Sequence, residues 1–426
     1  MQNRNFFFSL TALLINFSLY AQDTTEQIIA NRFNGKQQLQ RPYVILISAD
    51  GFRADLAEKY NATNLLTLRS QGVQADFMLS SFPSLTFPNH YTIITGLYPS
   101  HHGIVDNTFY DAERNEVYSM NNKKFVADSS WYSGTPLWVL SEKQQMLSAS
   151  YFWVASESAI QGIRPTYYFI YNEKTGIDKR IETVKNWLQL PEDKRPHFIT
   201  FYFPEVDHAE HTYGPDSKET EKAVRFIDES VGKMVAEINT LNLPVNFVFV
   251  SDHGMTKIDN DKAMKLPLAV DTSEFFVPSA ETSLHLYAKQ KRFIKPTYKA
   301  LKKEAKDFDV YLVKRNMPRR WHYSKKDDTY NRIGDILLVP HLPGFFNIGQ
   351  RKNTNIGKHG FDPYIPDMHA TFYAWGPAFK PHTKVNGFEN VNIYPLITAI
   401  LGLTYNEDEI DGKLKILQPI LNESHH

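Results

Sequence analysis

Tyr43-Val44-Ile45-Leu46-Ile47-Ser48-Ala49 runs without a charge into Asp50-Gly51-Phe52-Arg53. A continuous apolar run of this length, ended by a turn signal, reads as a strand buried on both faces of a parallel sheet. The pattern recurs at His197-Phe198-Ile199-Thr200-Phe201-Tyr202-Phe203 and at Val245-Asn246-Phe247-Val248-Phe249-Val250. Asp335-Ile336-Leu337-Leu338-Val339 and Ala370-Thr371-Phe372-Tyr373-Ala374 are weaker examples. Between the second and third runs Val224, Ile227, Val231, Met234, Val235 and Ile238 recur at helical spacing, with Asp216 and Glu219 as a capping pair. Strand, helix, strand is a crossover unit, so an α/β fold with a doubly wound, mostly parallel sheet is expected.

The 426 residues carry 47 basic and 47 acidic side chains, a net charge of +0, and 42% of them are hydrophobic. That is enough apolar material for one large α/β domain or two ordinary ones. Charge balance removes any global pull toward nucleic acid or anionic membrane. A small-molecule partner and no stable nucleic-acid complex are therefore expected; the chain is expected to be a monomer. With no cysteine in the chain, disulfides, thiolate metal sites and a cysteine nucleophile are excluded.

Residues 1–21 carry Arg4 near their start, continue through Phe6-Phe7-Phe8-Ser9-Leu10-Thr11-Ala12-Leu13-Leu14-Ile15 and reach Ala21, the layout of a signal peptide. The apolar run is short for a membrane span. Export to a bacterial periplasm or the medium is expected, with no membrane span in the mature chain. Residues 22–40 form a polar lead. Residues 260–330 read as an inserted small α+β subdomain, with a helix marked by Phe293, Tyr298 and Leu301 and a strand at Val310-Tyr311-Leu312-Val313. Its Lys299, Lys302, Lys303, Lys306, Arg319 and Arg320 read as a solvated face, with electrostatic attraction of an anionic substrate as the alternative.

In open α/β sheets, ligands bind beyond the carboxyl ends of the strands. Asp50, Asp207 and Asp252 follow the three strongest runs, in Asp50-Gly51-Phe52-Arg53, Asp207-His208-Ala209-Glu210-His211 and Ser251-Asp252-His253-Gly254. Lys358-His359-Gly360-Phe361-Asp362 is a fourth polar cluster. One strand-end aspartate is ordinarily a cap or a turn; three beside histidines make a nitrogen and oxygen donor set that suits zinc. His208 and His211 compete for one place, and the four-residue spacing from Asp207 favours His211. In Ser84-Leu85-Thr86-Phe87-Pro88-Asn89-His90-Tyr91, Thr86 reads as a helix N-cap, where backbone N–H groups favour an anion.

Thr86-Phe87-Pro88-Asn89-His90-Tyr91, Gly96-Leu97-Tyr98-Pro99, His102-Gly103-Ile104-Val105-Asp106-Asn107, Ser251-Asp252-His253-Gly254-Met255 and His359-Gly360-Phe361-Asp362 together resemble the nucleotide pyrophosphatase/phosphodiesterase family. This is the type I phosphodiesterase branch of the alkaline phosphatase superfamily. The resemblance covers residues 41–405 as a catalytic domain, leaving 406–426 as a C-terminal tail, and it looks like the compact bacterial form. It implies an alkaline-phosphatase-type sheet and two Zn2+ per chain. Asp207, His211 and His359 would hold one; Asp50, Asp252, His253 and the Thr86 oxygen would hold the other. Thr86 becomes the nucleophile of a covalent threonine intermediate, and Asn107 donates to a phosphate oxygen. Phe87 and Tyr171 match the aromatic slot for a base, with Trp153 and Tyr202 at further aromatic pocket positions. The implied reaction is hydrolysis of nucleotide phosphodiester or pyrophosphate bonds to nucleoside 5′-monophosphates. A phospholipid or choline-phosphodiester hydrolase on the same site is the alternative. Three positions depart from the pattern: Val154-Ala155 replaces the usual Pro-Gly after Trp153, and Leu85 and Thr108 stand where many animal members carry lysine.

Overall fold

The computed structural model describes residues 25–279, 281–349 and 352–422; residues 1–21, read as a signal peptide, lie outside them. Nine strands among the described residues build the main sheet. In chain order they are β1 (Gln27–Ile28), β2 (Tyr43–Ala49), β3 (Val73–Ala75), β4 (Ser148–Tyr151), β5 (Tyr167–Tyr168), β6 (Phe198–Phe203), β7 (Val245–Val250), β8 (Phe372–Trp375) and β9 (Thr383–Val385). Their order across the sheet is β1-β5-β4-β6-β2-β7-β8-β3-β9. The five strands from β5 to β7 are mutually parallel. β8 runs antiparallel between β7 and β3, and β1 antiparallel at the far edge. The sheet is mixed, with a parallel centre.

Every residue of β2 is buried, because helices cover both faces of the sheet. The helices used below are α1 (Thr63–Gln71), α2 (Thr86–Thr95), α3 (Ile177–Gln189), α4 (Glu205–Tyr213), α5 (Lys218–Asn239), α6 (Ile294–Glu304) and α7 (Ile393–Leu401). Alternate β2 residues serve opposite cores. Val44 and Leu46 pack with Ile93 and Ile94 of α2 and Leu396 and Ile397 of α7. Ile45 and Ile47 pack with Trp187 of α3 and Val231 and Met234 of α5. All the α5 positions picked out by helical spacing are buried. Its cap differs from the expectation: Ser217 caps, accepting from the Thr220 N–H, while Asp216 pairs with Lys59.

A second, antiparallel sheet orders Phe275–Phe276, Leu284–Ala288, Ile336–Pro340 and Phe308–Leu312, with α6 beside it. Ile336–Pro340 belongs here and not to the main sheet. Its continuous apolar sequence has a simple cause: Ile336 and Leu338 fill this sheet's own core, while Leu337 and Val339 face the main one. The stretch read as a C-terminal tail is packed, with Leu417, Ile420 and Leu421 in the main core. No helix among the described residues is long and apolar enough to cross a membrane.

α1 starts after Ala62, which has no side-chain acceptor. The orphan N–H groups of Asn64 and Leu65 donate instead to Asp228 of α5, at 3.2 and 2.7 Å. Asp228 is buried, so Asp228→Ala should lower unfolding free energy in urea by about 1–3 kcal/mol through the stranded donors. Unchanged stability would show that the cap carries no weight.

Candidate active site

The carboxyl edge of the parallel strands gathers the predicted carboxylates. Asp50 follows β2, Asp252 follows β7, and Asp207 lies in the first turn of α4 after β6. Gly51 permits the close approach: its φ of +71° turns the chain back, and a Cβ there would stand 3.1 Å from the Asp207 Cα. The Gly51 N–H donates to Asp252 Oδ1 at 3.2 Å. Asp50 Oδ1, Asp207 Oδ1 and Asp252 Oδ2 are buried and accept no hydrogen bond.

Histidine nitrogens face those oxygens. His253 Nε2 lies 3.0 Å from Asp252 Oδ2 and 3.5 Å from Asp50 Oδ1. His211 and His359 Nε2 lie 3.4 and 3.6 Å from Asp207 Oδ1. In all three rings Nδ1 meets a backbone carbonyl: Gly254 for His253, Gly357 for His211 and Ser84 for His359. A carbonyl only accepts, so Nδ1 carries a proton, and in its neutral, metal-ligating form each ring turns a lone pair at Nε2 toward the carboxylates. Lone pairs facing lone pairs need a cation between them, and the donor set fits one. Asp207, His253 and His359 form one buried group that can hold a metal; Asp50, Asp252 and His253 form another. His253 thus stands between the groups, and the tightest triple around Asp207 contains it rather than His211. His208, the rejected candidate, is exposed and reaches toward Glu173.

Burial and the negative charges of Asp252 and Asp207 push the Asp50 carboxyl well above the usual range, against the Tyr202 hydroxyl, which donates to Asp50 Oδ2 at 2.5 Å. Burial, with His253 and His211 nearby, keeps His359 neutral.

Thr86 is the first residue of α2 and not its cap; Leu85 occupies the cap position, and no side chain caps the helix. The threonine hydroxyl is therefore free of the backbone and sits 3.2 Å from His253 Nε2. The Phe87 N–H donates to Asn107 Oδ1 at 3.0 Å, which leaves the Asn107 NH2 group as a donor beside the helix start. Thr86, Asp50 and Asp207 line a cavity of about 370 Å3, and Phe87, Trp153, Tyr171 and Tyr202 line it too. Asn107, Asp252, His253, His211 and His359 lie outside its lining.

Sequence reasoning missed several residues here. His90 hydrogen-bonds Ser48 at 2.8 Å and the Thr86 carbonyl at 3.0 Å, and lies 3.3 Å from Asp252 Oδ2. Its position four after Thr86 is the same spacing that selected His211. Glu157 lines the cavity with its carboxyl raised by burial. Lys123 is the one lysine or arginine among the described lining residues. Ala155, where the family resemblance leads one to expect glycine, has a φ of +68°, a left-handed conformation that favours glycine.

A family model described as Type I phosphodiesterase / nucleotide pyrophosphatase matches residues 44–362. The chain belongs to this family. Ectonucleotide pyrophosphatase/phosphodiesterase family member 1 of Mus musculus is 35% identical over 412 residues, covering 91% of this chain and 44% of the relative. The chain thus spans less than half the length of that relative. An uncharacterised pyrophosphatase/phosphodiesterase of Schizosaccharomyces pombe is 32% identical over 398 residues, covering 88% of this chain and 80% of the relative. Among solved structures, murine ectonucleotide pyrophosphatase/phosphodiesterase 5, in an inactive threonine-to-alanine form in complex with AMP, superposes with a TM-score of 0.82. It is 27% identical and covers 90% of this chain and all of its own.

The Tyr202 hydroxyl fixes the orientation of Asp50. Tyr202→Phe should weaken metal binding by roughly 10–100-fold, the usual effect of losing such an outer partner, measured by competition with a chromophoric chelator. Unaltered affinity would mean that Asp50 needs no such support.

Proposed function

We propose that the chain hydrolyses nucleotide phosphodiester and pyrophosphate bonds, releasing nucleoside 5′-monophosphates through a covalent intermediate on Thr86. One observation carries the reading: the uncapped Thr86 hydroxyl lies between the aspartate–histidine cluster and a cavity walled by aromatic rings. The inactive threonine-to-alanine form of the AMP-bound murine neighbour agrees with it.

Thr86 Oγ1 attacks phosphorus, the alcohol or phosphate ester on the far side departs, and water then cleaves the phosphothreonine. Asn107 NH2 and the N–H groups at the start of α2 meet the charge on the transferring oxygens. Phe87 and Tyr171 hold the base between their faces, a contact worth about 1–3 kcal/mol per base. Two zinc ions, one on Asp207, His211 and His359 and the other on Asp50, Asp252, His253 and Thr86, would supply Lewis acidity that lowers the hydroxyl pKa and stabilises the attacking and leaving oxygens. The catalytic unit begins near residue 41 and runs past 405, since Leu417, Ile420 and Leu421 lie in its core, with the antiparallel sheet as an insertion, and the chain acts after export.

Glu157 favours a second reading. A carboxylate in an aromatic cavity is also suited to a quaternary ammonium, so choline phosphodiesters are the competing substrates. Comparing nitrophenyl esters of thymidine 5′-monophosphate and phosphorylcholine with nitrophenyl phosphate decides between them; faster cleavage of the choline ester would displace the nucleotide reading.

Thr86→Ala should abolish turnover while keeping the metal content of the parent protein. Substantial residual turnover would remove Thr86 as nucleophile. Elemental analysis should find two zinc ions per chain, and chelation should stop turnover and lower the melting temperature by stranding the buried carboxylates. Full activity after chelation would refute the metal assignment.

A further inference from the structure

A second and larger hollow, of about 1250 Å3, opens on the far side of the hairpin that follows Asn107. The hairpin pairs Thr108–Asp111 with Glu116–Ser119. Its alternation divides two sites: buried Phe109 and Tyr118 face inward, with Tyr118 6.5 Å from the Phe87 ring. Tyr110 and Val117, paired on the other face, wall the hollow. α6 and the antiparallel sheet supply the opposite side.

That side is strongly basic. Lys291, Lys295, Lys299, Lys314 and Arg315 line it, all exposed, and none has an ion-pair partner among the described residues. Asp335, the one carboxylate among the described lining residues, already accepts from the Ala288 N–H at 2.9 Å. In a chain of net charge +0, this is segregation of charge, which the overall balance conceals. Like charges in one concavity repel one another and attract a multiply charged anion. Half-buried Tyr110, Phe276 and Tyr298 sit among the cations, with Tyr110 and Phe276 4.6 Å apart. Charge alone would serve a polyphosphate, and a membrane surface would call for a protruding apolar face. Aromatic rings interleaved with cations inside a groove match unstacked bases on a phosphate chain.

We propose that this hollow is a second, non-catalytic site that binds single-stranded nucleic acid through its phosphates and bases. Binding is independent of the chemistry proposed above; only a role for the captured strand as substrate rests on that reading. Such binding would be local and salt-sensitive, set by this groove and not by the balanced charge of the whole chain.

The test is fluorescence anisotropy with labelled oligothymidylate and the Thr86→Ala protein, checking afterwards that the probe is intact. Adding Lys295→Glu, Lys299→Glu and Arg315→Glu should weaken binding at least tenfold and flatten its salt dependence by about 0.7 in log–log slope per lost phosphate contact. Tyr110→Ala with Tyr298→Ala should weaken oligothymidylate binding several-fold and leave inorganic polyphosphate binding unchanged. The charge reversals placed in the parent protein should leave cleavage of the thymidine nitrophenyl ester intact, so loss of capture and loss of chemistry are read separately. No oligothymidylate binding, binding indifferent to charge reversal, or polyphosphate or phosphatidylglycerol vesicles binding as tightly with the tyrosines irrelevant would each overturn the proposal.

Discussion

Three carboxylates share one buried edge, and each turns toward the others an oxygen that no hydrogen bond satisfies. Burying charge this way is costly unless a cation compensates it. The surroundings look built for that compensation. Three imidazoles are locked by backbone carbonyls so that their lone pairs face the same space. A tyrosine fixes Asp50, a backbone N–H fixes Asp252, and Gly51 brings Asp207 close. The sheet is the frame that lets these groups approach: adjacent parallel strands bring Asp50, Asp252 and the start of α4 to one edge.

Much of that frame was legible because burial on both faces leaves a plain mark in sequence. β2, β6, β7 and α5 all follow the pattern expected of them. The same mark misled at Ile336–Pro340, since a strand squeezed between two cores has the same composition as one between two helix layers. Caps were read less well. Thr86 and Asp216 are good capping residues by type, but the chain placed Leu85 and Ser217 at those positions. At Thr86 the one-residue difference frees a hydroxyl that capping would have occupied. Lys123 and Glu157 carried no local signal, because a cavity assembled from separate loops leaves no periodicity.

The hairpin after Asn107 shows how a period of two divides labour. One of its faces supports the Phe87 ring beside the aromatic cavity, and the other walls the basic hollow. A shift of one residue in its register would exchange the two faces, so the separation of the aromatic cavity from the cationic groove rests on the Phe109–Tyr118 pairing.

The groups of the cluster are scattered from Asp50 to His359 along the chain. No short fragment contains them, and contacts over such separations form slowly. During synthesis the cluster stays incomplete until nearly the whole polypeptide has emerged. Ion capture is therefore a late event in maturation, and a cleaved or half-made chain has no complete site with which to compete for the metal.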